Sequence, residues 1–487
     1  MTAKDQAYMI FPYRFMRFGK GVLLVNEAGE FIFISEKDFL RLRNYKLDTK
    51  EEVFLNLKNR HIVTDTDPSL PVYLLATKYR TKKSFLNDFT ALHIFIITLR
   101  CNQKCKYCQA SSEDETQSEF DMDIKTAKRC VDMVFMSPSP AIKIEFQGGE
   151  PFLNFEAVKY IVQYAKKLNR VYQKNLEFVI CTNLLGLNEE ILNYLDEHKI
   201  WISTSLDGPR NLHDANRITR KGTGTYDLVR KNIQTAQDKL GIERISALMV
   251  TTRENVHKLN DIVDEYISQR FSSIFIRTIH PYGRAAKEKL GYDVETFIKN
   301  YKKTLDYIIK LNFDGLSFSE QYAKIILNKI LTPFATTFVD LQSPAGTGIS
   351  CAVYGYNGDV FVSDEARMLS KMGDNRFLMG NVYKNSYQEI FNGNVIRESI
   401  ENSCVESIPL CSECAFQMYC GADPVRNYKV RGDFIGHQPT SEFHQVNYLI
   451  MRHLMELIKQ NDRDVMNVFW SWVINRSIDE IKRSKRG

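Results

Sequence analysis

No apolar run in this 487-residue chain approaches the roughly 20 residues a helix needs to span a bilayer. The opening stretch, MTAKDQAYMIFPYRF, lacks the basic, apolar, small-residue order of a secretory signal. With both missing, the expected setting is the cytoplasm. Low-complexity tracts and internal repeats are absent too, which excludes linker-like and solenoid architectures. No stretch interleaves basic and aromatic residues, so a nucleic-acid modifier is not expected. The net charge of +6 selects no partner, and the basic tail IKRSKRG reads as a solvated end. What remains is an ordinary globular composition, 44% hydrophobic and 25% charged, with length for roughly two to four domains.

Cysteine is not scarce: the chain has 10. In a long cytoplasmic chain, clustered cysteines point to metal rather than to disulfides. Cys101, Cys105 and Cys108 share one short loop, TLRCNQKCKYCQA. Three thiolates can hold three irons of a 4Fe–4S cube and leave the fourth iron open to a ligand. A zinc knuckle is the alternative, but it needs a fourth ligand close by and none is near. A second group, Cys411, Cys414 and Cys420, lies in CSECAFQMYCG, where structural zinc competes with a second iron–sulfur cluster. Cys130, mid-helix among apolar neighbours, reads as a buried structural thiol. Cys181 reads as a small buried hydrophobe at a strand end.

Along the chain, residues 1–65 read as a separate unit. GVLLVNEAGEFIFIS predicts two strands joined by a tight turn at Asn26–Gly29. A serine-capped helix follows in SEKDFLRLRNYKL, then a second helix opening on Asp48. Residues 66–90, with Pro68 and Pro71, read as a connector. From residue 91 to 330, buried strands (LHIFIITL, AIKIEF, LEFVIC, WISTSL, ISALMV, SIFIRT) alternate with helical stretches. About six β/α units in series predict a parallel sheet curled into a full or partial barrel. Residues 331–450 carry the second cysteine group, and 451–487 read as a helical tail.

Barrel active sites lie at the C-terminal ends of strands, and the chemical motifs fall there. The thiol loop follows the first strand. FQGGEP follows the second, where Gly148 and Gly149 allow close backbone approach and Glu150 can accept hydrogen bonds from an ammonium. Asn183 follows the third strand and could reach a ribose hydroxyl. Tyr282 and Gly283, after the sixth, are expected to help close the pocket.

CxxxCxxC with Tyr107 before its last cysteine resembles the signature of the radical S-adenosylmethionine (SAM) enzymes. That resemblance implies a cluster that cleaves SAM reductively to a 5′-deoxyadenosyl radical, with the electron from a low-potential donor such as flavodoxin or ferredoxin. It implies further that Glu150 holds the SAM amino group. Ser205 and Asp207 would lie near its ribose and carboxylate, and Thr251 near the adenine. Arg217 could pair with the same SAM carboxylate or form a surface salt bridge. The strand–strand–helix–helix start is similar to the winged-helix recognition element of peptide maturation systems, which binds a leader peptide as an added strand; a plain cap is the alternative.

CxxCxxxxxC and the hairpin NGDVFVSD resemble the SPASM module, which carries auxiliary clusters. The sequence departs from that pattern at Ser363 and Pro424, where cysteines would stand. Only Cys351 remains of the first auxiliary ligand set, so one auxiliary 4Fe–4S cluster is expected. Its fourth ligand is His444 or Cys404. Asp364 stands where sulfatase maturases place a substrate base, with Glu365 a rival. YRFMRFGKGVLLVNEAGEF, SDEARML and CAFQMYCGADPV resemble the maturase of the His-Xaa-Ser peptide system. The implied function is radical modification of a ribosomally made precursor peptide. The alternatives are a formylglycine-forming oxidase of the sulfatase-maturase type and a cluster-bearing scaffold that binds a leader.

Overall fold

The computed structural model describes residues 6–288 and 290–484. Its centre is a sheet whose six parallel strands follow chain order: Leu92–Thr98, Ala141–Gly148, Asn175–Cys181, Trp201–Ser205, Ile245–Val250 and Ile276–Arg277. The first strand is buried on both faces from His93 onward, which explains its unbroken apolar run. The helices between strands are amphipathic. Phe155–Tyr172 buries Phe155, Val158, Ile161, Val162 and Ala165, a stripe at helical spacing. Asp123 and Asn188 cap two of these helices by accepting from Thr126 N (2.6 Å) and Ile191 N (2.9 Å). Because every crossover returns to the same edge, all six C-terminal strand ends face one way.

The expected six-unit order is present, and the sheet does not close, since the first and sixth strands do not pair. Instead, Cys351–Tyr354 adds parallel to the first strand. Asp359–Phe361 and Leu378–Asn381 continue from it antiparallel. The hairpin read from NGDVFVSD thus extends the central sheet rather than forming a detached module.

The N-terminal unit has three strands more than the sequence suggested, two of them a short antiparallel pair, Met9–Ile10 with Val63–Thr64. Tyr13–Phe18, Gly21–Asn26 and Phe31–Ser35 form an antiparallel sheet, followed by helices Glu36–Arg43 and Glu52–Asn59. Ser35 caps the first helix through Asp38 N, as expected. Asp48 does not open the second; it accepts from Lys50 N, and the helix begins four residues later. The segment read as a connector is largely helix, Ser69–Lys82, because Pro71 falls in the first turn, where no helical N–H is required. The helix Glu442–Gln460 runs through the boundary drawn at residue 450.

Two departures from the SPASM pattern have a local cause. Ser363 caps the helix Asp364–Lys371 by accepting from Ala366 N (3.2 Å). Pro424 is the first residue of the helix Pro424–Arg431, capped by Asp423. Both positions serve as helix starters. No helix among the described residues is long and apolar enough to cross a membrane.

The first and second strands are stitched beyond their ladder. Gly149 N donates to Thr98 O (2.8 Å) and Glu150 N to Arg100 O (2.7 Å). A Cβ on Gly148 or Gly149 would fall inside the van der Waals radius of Thr98 O or Arg100 O, and Gly148 has φ +132°. Gly149→Ala should therefore destabilise the protein by about 3 kcal/mol or more, read as a lowered thermal midpoint. An unchanged midpoint would show that the two strand ends can separate freely.

Candidate active site

At the shared strand edge lies an open cavity of ≈ 910 Å³, counted to its mouth. Cys101, Cys105 and Cys108 line it, with Tyr107 between them. Gly148, Gly149, Asn183, Ser205 and Arg217 line it as well. The three thiols and these five expected cofactor contacts therefore converge on one space from four separate strand ends.

Glu150, Asp207 and Thr251 do not line it. Glu150 is fully buried and accepts from Thr182 Oγ1 (2.6 Å), Asn183 N (2.8 Å) and Phe152 N (3.1 Å). Burial raises its carboxyl to about 7, against the pull of those donors. In this structure it ties the second strand end to the third. Asp207 accepts from Tyr107 Oη (2.5 Å) and Arg217 Nε (3.1 Å). Arg217 lies 5.2 Å over the Tyr107 ring. So Arg217 forms a buried pair rather than a surface one, and Asp207 positions both Arg217 and Tyr107. The Thr251 hydroxyl is taken by Arg277 O and Tyr292 Oη.

The thiol loop is held from both sides. Arg284 N donates to Cys108 O (2.9 Å) and Arg284 Nε to Cys105 O (3.0 Å). Gly283 packs directly on Cys108 O and Gln109 O, behind the thiol loop, and neither it nor Tyr282 lines the cavity. Burial raises the Cys101 thiol strongly and Cys105 to about 11, with Arg217 and Arg284 opposing the latter. Buried sulfurs that resist ionisation alone are the donor type that a cationic iron centre converts to thiolate ligands. The three residues fit a cube with one open iron.

The second cysteine group also converges. Cys411, Cys414, Cys420 and His444 line one narrow pocket. The His444 ring stacks on Tyr448, and its nitrogens have no hydrogen-bond partner among the described residues. Burial lowers its pKa, which keeps the imidazole neutral and able to ligate. Cys404 and Cys351 do not line this cavity. The Cys404 thiol donates to Ile400 O (3.3 Å) within its own turn. Cys351 is buried at the start of the strand beside Leu92, with Glu365 the charge acting most strongly on it. Among the described residues no three His, Cys, Asp or Glu side chains gather as ligands of a single ion.

Of the two candidate bases, Asp364 is committed to Arg367 Nε (2.7 Å). Glu365 accepts no hydrogen bond from another residue among those described and stands 3.9 Å from His280 Nδ1. Met368, one turn on, lines the thiol cavity. Burial, then Asp340 and Asp423, raise the Glu365 carboxyl to about 8.

Sequence reasoning missed Cys181 in the cavity wall and Arg284 behind the thiol loop. Cys181 is only half-buried; it lines the cavity and donates to Glu145 Oε1 (3.1 Å), which also accepts from Gln147 Nε2 (2.5 Å). Polar Glu145 and Gln147, continuing the alternation begun by Lys143, were the available signal. Arg284 had none.

The Radical SAM superfamily profile matches residues 95–266. An uncharacterized protein of Methanocaldococcus jannaschii is 30% identical over 270 residues, 53% of this chain and 86% of that protein. The chain belongs to the radical SAM superfamily, whose members need a 4Fe–4S cluster and SAM. It is related to the cysteine-type anaerobic sulfatase-maturating enzyme of Clostridium novyi, 24% identical over 67% of this chain and 85% of that one. Among solved structures, native anSMEcpe with bound AdoMet superposes with TM-score 0.63 at 18% identity, covering 78% of this chain and 99% of that one. Streptococcus suis SuiB bound to precursor peptide SuiA gives TM-score 0.52 at 15% identity, covering 87% and 97%.

Two outcomes follow from this geometry. Asp207→Asn should strand the Arg217 guanidinium and cost roughly 3 kcal/mol in unfolding free energy. Glu365 has the opposite sign from a salt-bridged carboxylate, because its folded pKa lies above its unfolded value of 4.5. Its protonated form is favourable below that value, and the contribution is lost as pH rises toward about 8. Glu365→Gln should therefore gain thermal stability relative to wild type across that interval. A difference that does not vary with pH would show that Glu365 is well solvated.

Proposed function

We propose that this protein is a radical SAM maturase that modifies a ribosomally made peptide, of the His-Xaa-Ser precursor type. The observation that carries the reading is the pairing of two features across one cavity. Three thiols stand on one side, and the helix Asp364–Lys371 brings Met368 to the wall, three residues after Glu365, whose carboxyl accepts no hydrogen bond from another described residue. When bound, the cluster and SAM supply a radical that abstracts a hydrogen atom from the substrate. Arg217, Asn183 and Ser205 line the space for SAM. Tyr107, braced by Asp207, keeps the thiol loop in register. Glu365, rather than Asp364, is the group positioned to take a substrate proton, since its carboxyl is not already engaged.

Cys411, Cys414, Cys420 and His444 are assigned to one auxiliary cluster. Low-potential electrons would come from a flavodoxin or ferredoxin. Support for a peptide partner comes from the relatives: the SuiB structure contains a precursor peptide, and the Clostridium enzyme matures sulfatases. The latter keeps a formylglycine-forming oxidase as the second reading. A leader would add along an outer strand of the N-terminal sheet, Tyr13–Phe18 or Phe31–Ser35.

Cys105→Ala should abolish conversion of SAM to 5′-deoxyadenosine in anaerobically reconstituted protein with dithionite. Undiminished cleavage would sink the assignment. About eight irons per chain are expected from two cubes. His444→Cys should keep the auxiliary cluster and lower its potential, because an anionic ligand replaces a neutral one. Cys404→Ala should leave that cluster intact; its loss would make Cys404 the ligand.

A further inference from the structure

A second cavity, ≈ 880 Å³, adjoins the first. Thr251 and Tyr292 divide them: Val250 lines one side, and Tyr292, bonded to Thr251, lines the other. The second cavity lies between the segment Phe275–His280 and the helix Glu442–Gln460. Its walls are aromatic, with Phe275, Tyr292, Phe297, Tyr322, Phe338 and Phe443. No residue on which the functional reading depends faces it.

Its charge is lopsided. Asp340, Asp423 and Glu442 line it, and Glu365 stands beside His280 of its wall. Burial keeps Glu365 protonated, so it adds no charge. The three lining carboxylates face two guanidiniums, Arg277 and Arg426, leaving one carboxylate in excess. Arg426 is already engaged by Glu442 at 3.0 Å. The His280 ring is held neutral by burial. Asp340 accepts no hydrogen bond from any described residue, and Asp423 uses only Oδ1, on Arg426 N (2.9 Å).

Behind this wall the Tyr282 hydroxyl is fully buried, does not line the cavity and has no hydrogen-bond partner among the described residues. The charges acting on it are Asp423, Glu365, Arg426 and Asp340, so it stands among the same groups. A buried hydroxyl left unpaired beside carboxylates costs free energy unless another group completes the network.

We propose that this second cavity receives a basic side chain of the peptide substrate, its ammonium or guanidinium set between Asp340 and Asp423 and its alkyl stem along the aromatic walls. The inference rests on the peptide-maturase reading and adds a specificity determinant to it. Carboxylates bind such a cation by charge-assisted hydrogen bonds, and aromatic faces add cation–π attraction. The rival is an acidic side chain on Arg277, whose guanidinium lies over Phe275 without a hydrogen bond. It would add negative charge to a cavity already in excess of it.

The test uses cluster-loaded, SAM-bound protein and three blocked tripeptides, acetyl-Ala-Lys-Ala-amide and its norleucine and glutamate analogues, with binding followed by calorimetry. The lysine peptide should bind about tenfold or more tighter than the norleucine one. Asp340→Asn, nearly isosteric, should remove that preference while norleucine binding is unchanged. The wild-type comparison needs no variant, so a misfolded Asp340→Asn protein would leave the test standing. Equal binding of lysine and norleucine peptides, absence of binding by all three, or preference for glutamate would each overturn the proposal. SAM cleavage by the wild-type protein is scored separately. Its absence would fell the functional reading, whereas cleavage without lysine preference would fell only this inference.

Discussion

The contact on which the site depends is the one between the first two strand ends. Gly148 and Gly149 let the second strand turn directly over Thr98 and Arg100, closer than any side chain allows. That turn delivers Glu150 beneath the cavity, where its carboxylate gathers Thr182 and Asn183 from the third strand end. Asn183 then donates to Asn102 Oδ1 (2.8 Å), inside the thiol loop. Three strand ends and the loop are thus closed into one ring of hydrogen bonds. A short irregular loop would otherwise have little to hold three sulfurs in fixed relative positions.

A second brace meets the loop from the opposite side. Tyr107 reaches Asp207 across 100 residues of sequence, and Asp207 holds Arg217 against the Tyr107 ring. Removing Asp207 from solvent is unfavourable and raises its carboxyl, and Arg217 offsets most directly. The arrangement is worth more in geometry than in net stability, since a buried pair returns little beyond its desolvation. It fixes the aromatic residue of the loop and points a guanidinium into the cavity with the same bond.

The strand order and the convergence of the thiols were legible in the sequence because both follow from local signals: apolar runs of strand length, and motifs at their ends. Residue roles were less legible. Glu150, Asp207 and Thr251 sit in motifs that announce a cofactor, and their side chains also bond neighbouring segments. Spacing along a chain cannot show which of several polar atoms a buried carboxylate will meet. The helix Ser69–Lys82 was missed because two prolines suggested a connector, although Pro71 falls where a helix tolerates it. Asp340 and Asp423 carried no signal at all. Each is an unremarkable acidic residue until the fold brings them to one wall. Ser363 and Pro424 were noticed only as missing cysteines, and their positive role as helix starters needed the backbone.

Charge links the parts of the molecule that the sequence separates. Every thiol of the two groups that shows a raised pKa does so first through burial. Ligation requires the thiolate, so loading a cluster must release protons that burial retains. Fixed cations reduce that cost, and they come from distant segments. Arg217 and Arg284 act on Cys105. Arg14, on an outer strand of the N-terminal sheet, acts on Cys414 and donates to Ser412 O (2.6 Å). Lys329, whose own ammonium burial lowers to about 7, acts on Cys420 when protonated and donates to its carbonyl (3.1 Å). Tyr419 Oη donates to Gly29 O (2.7 Å), seating the N-terminal hairpin on the same cysteine loop. The N-terminal unit thus touches the second thiol loop at Ser412 and Tyr419, and Arg14 supplies one of the charges acting on Cys414.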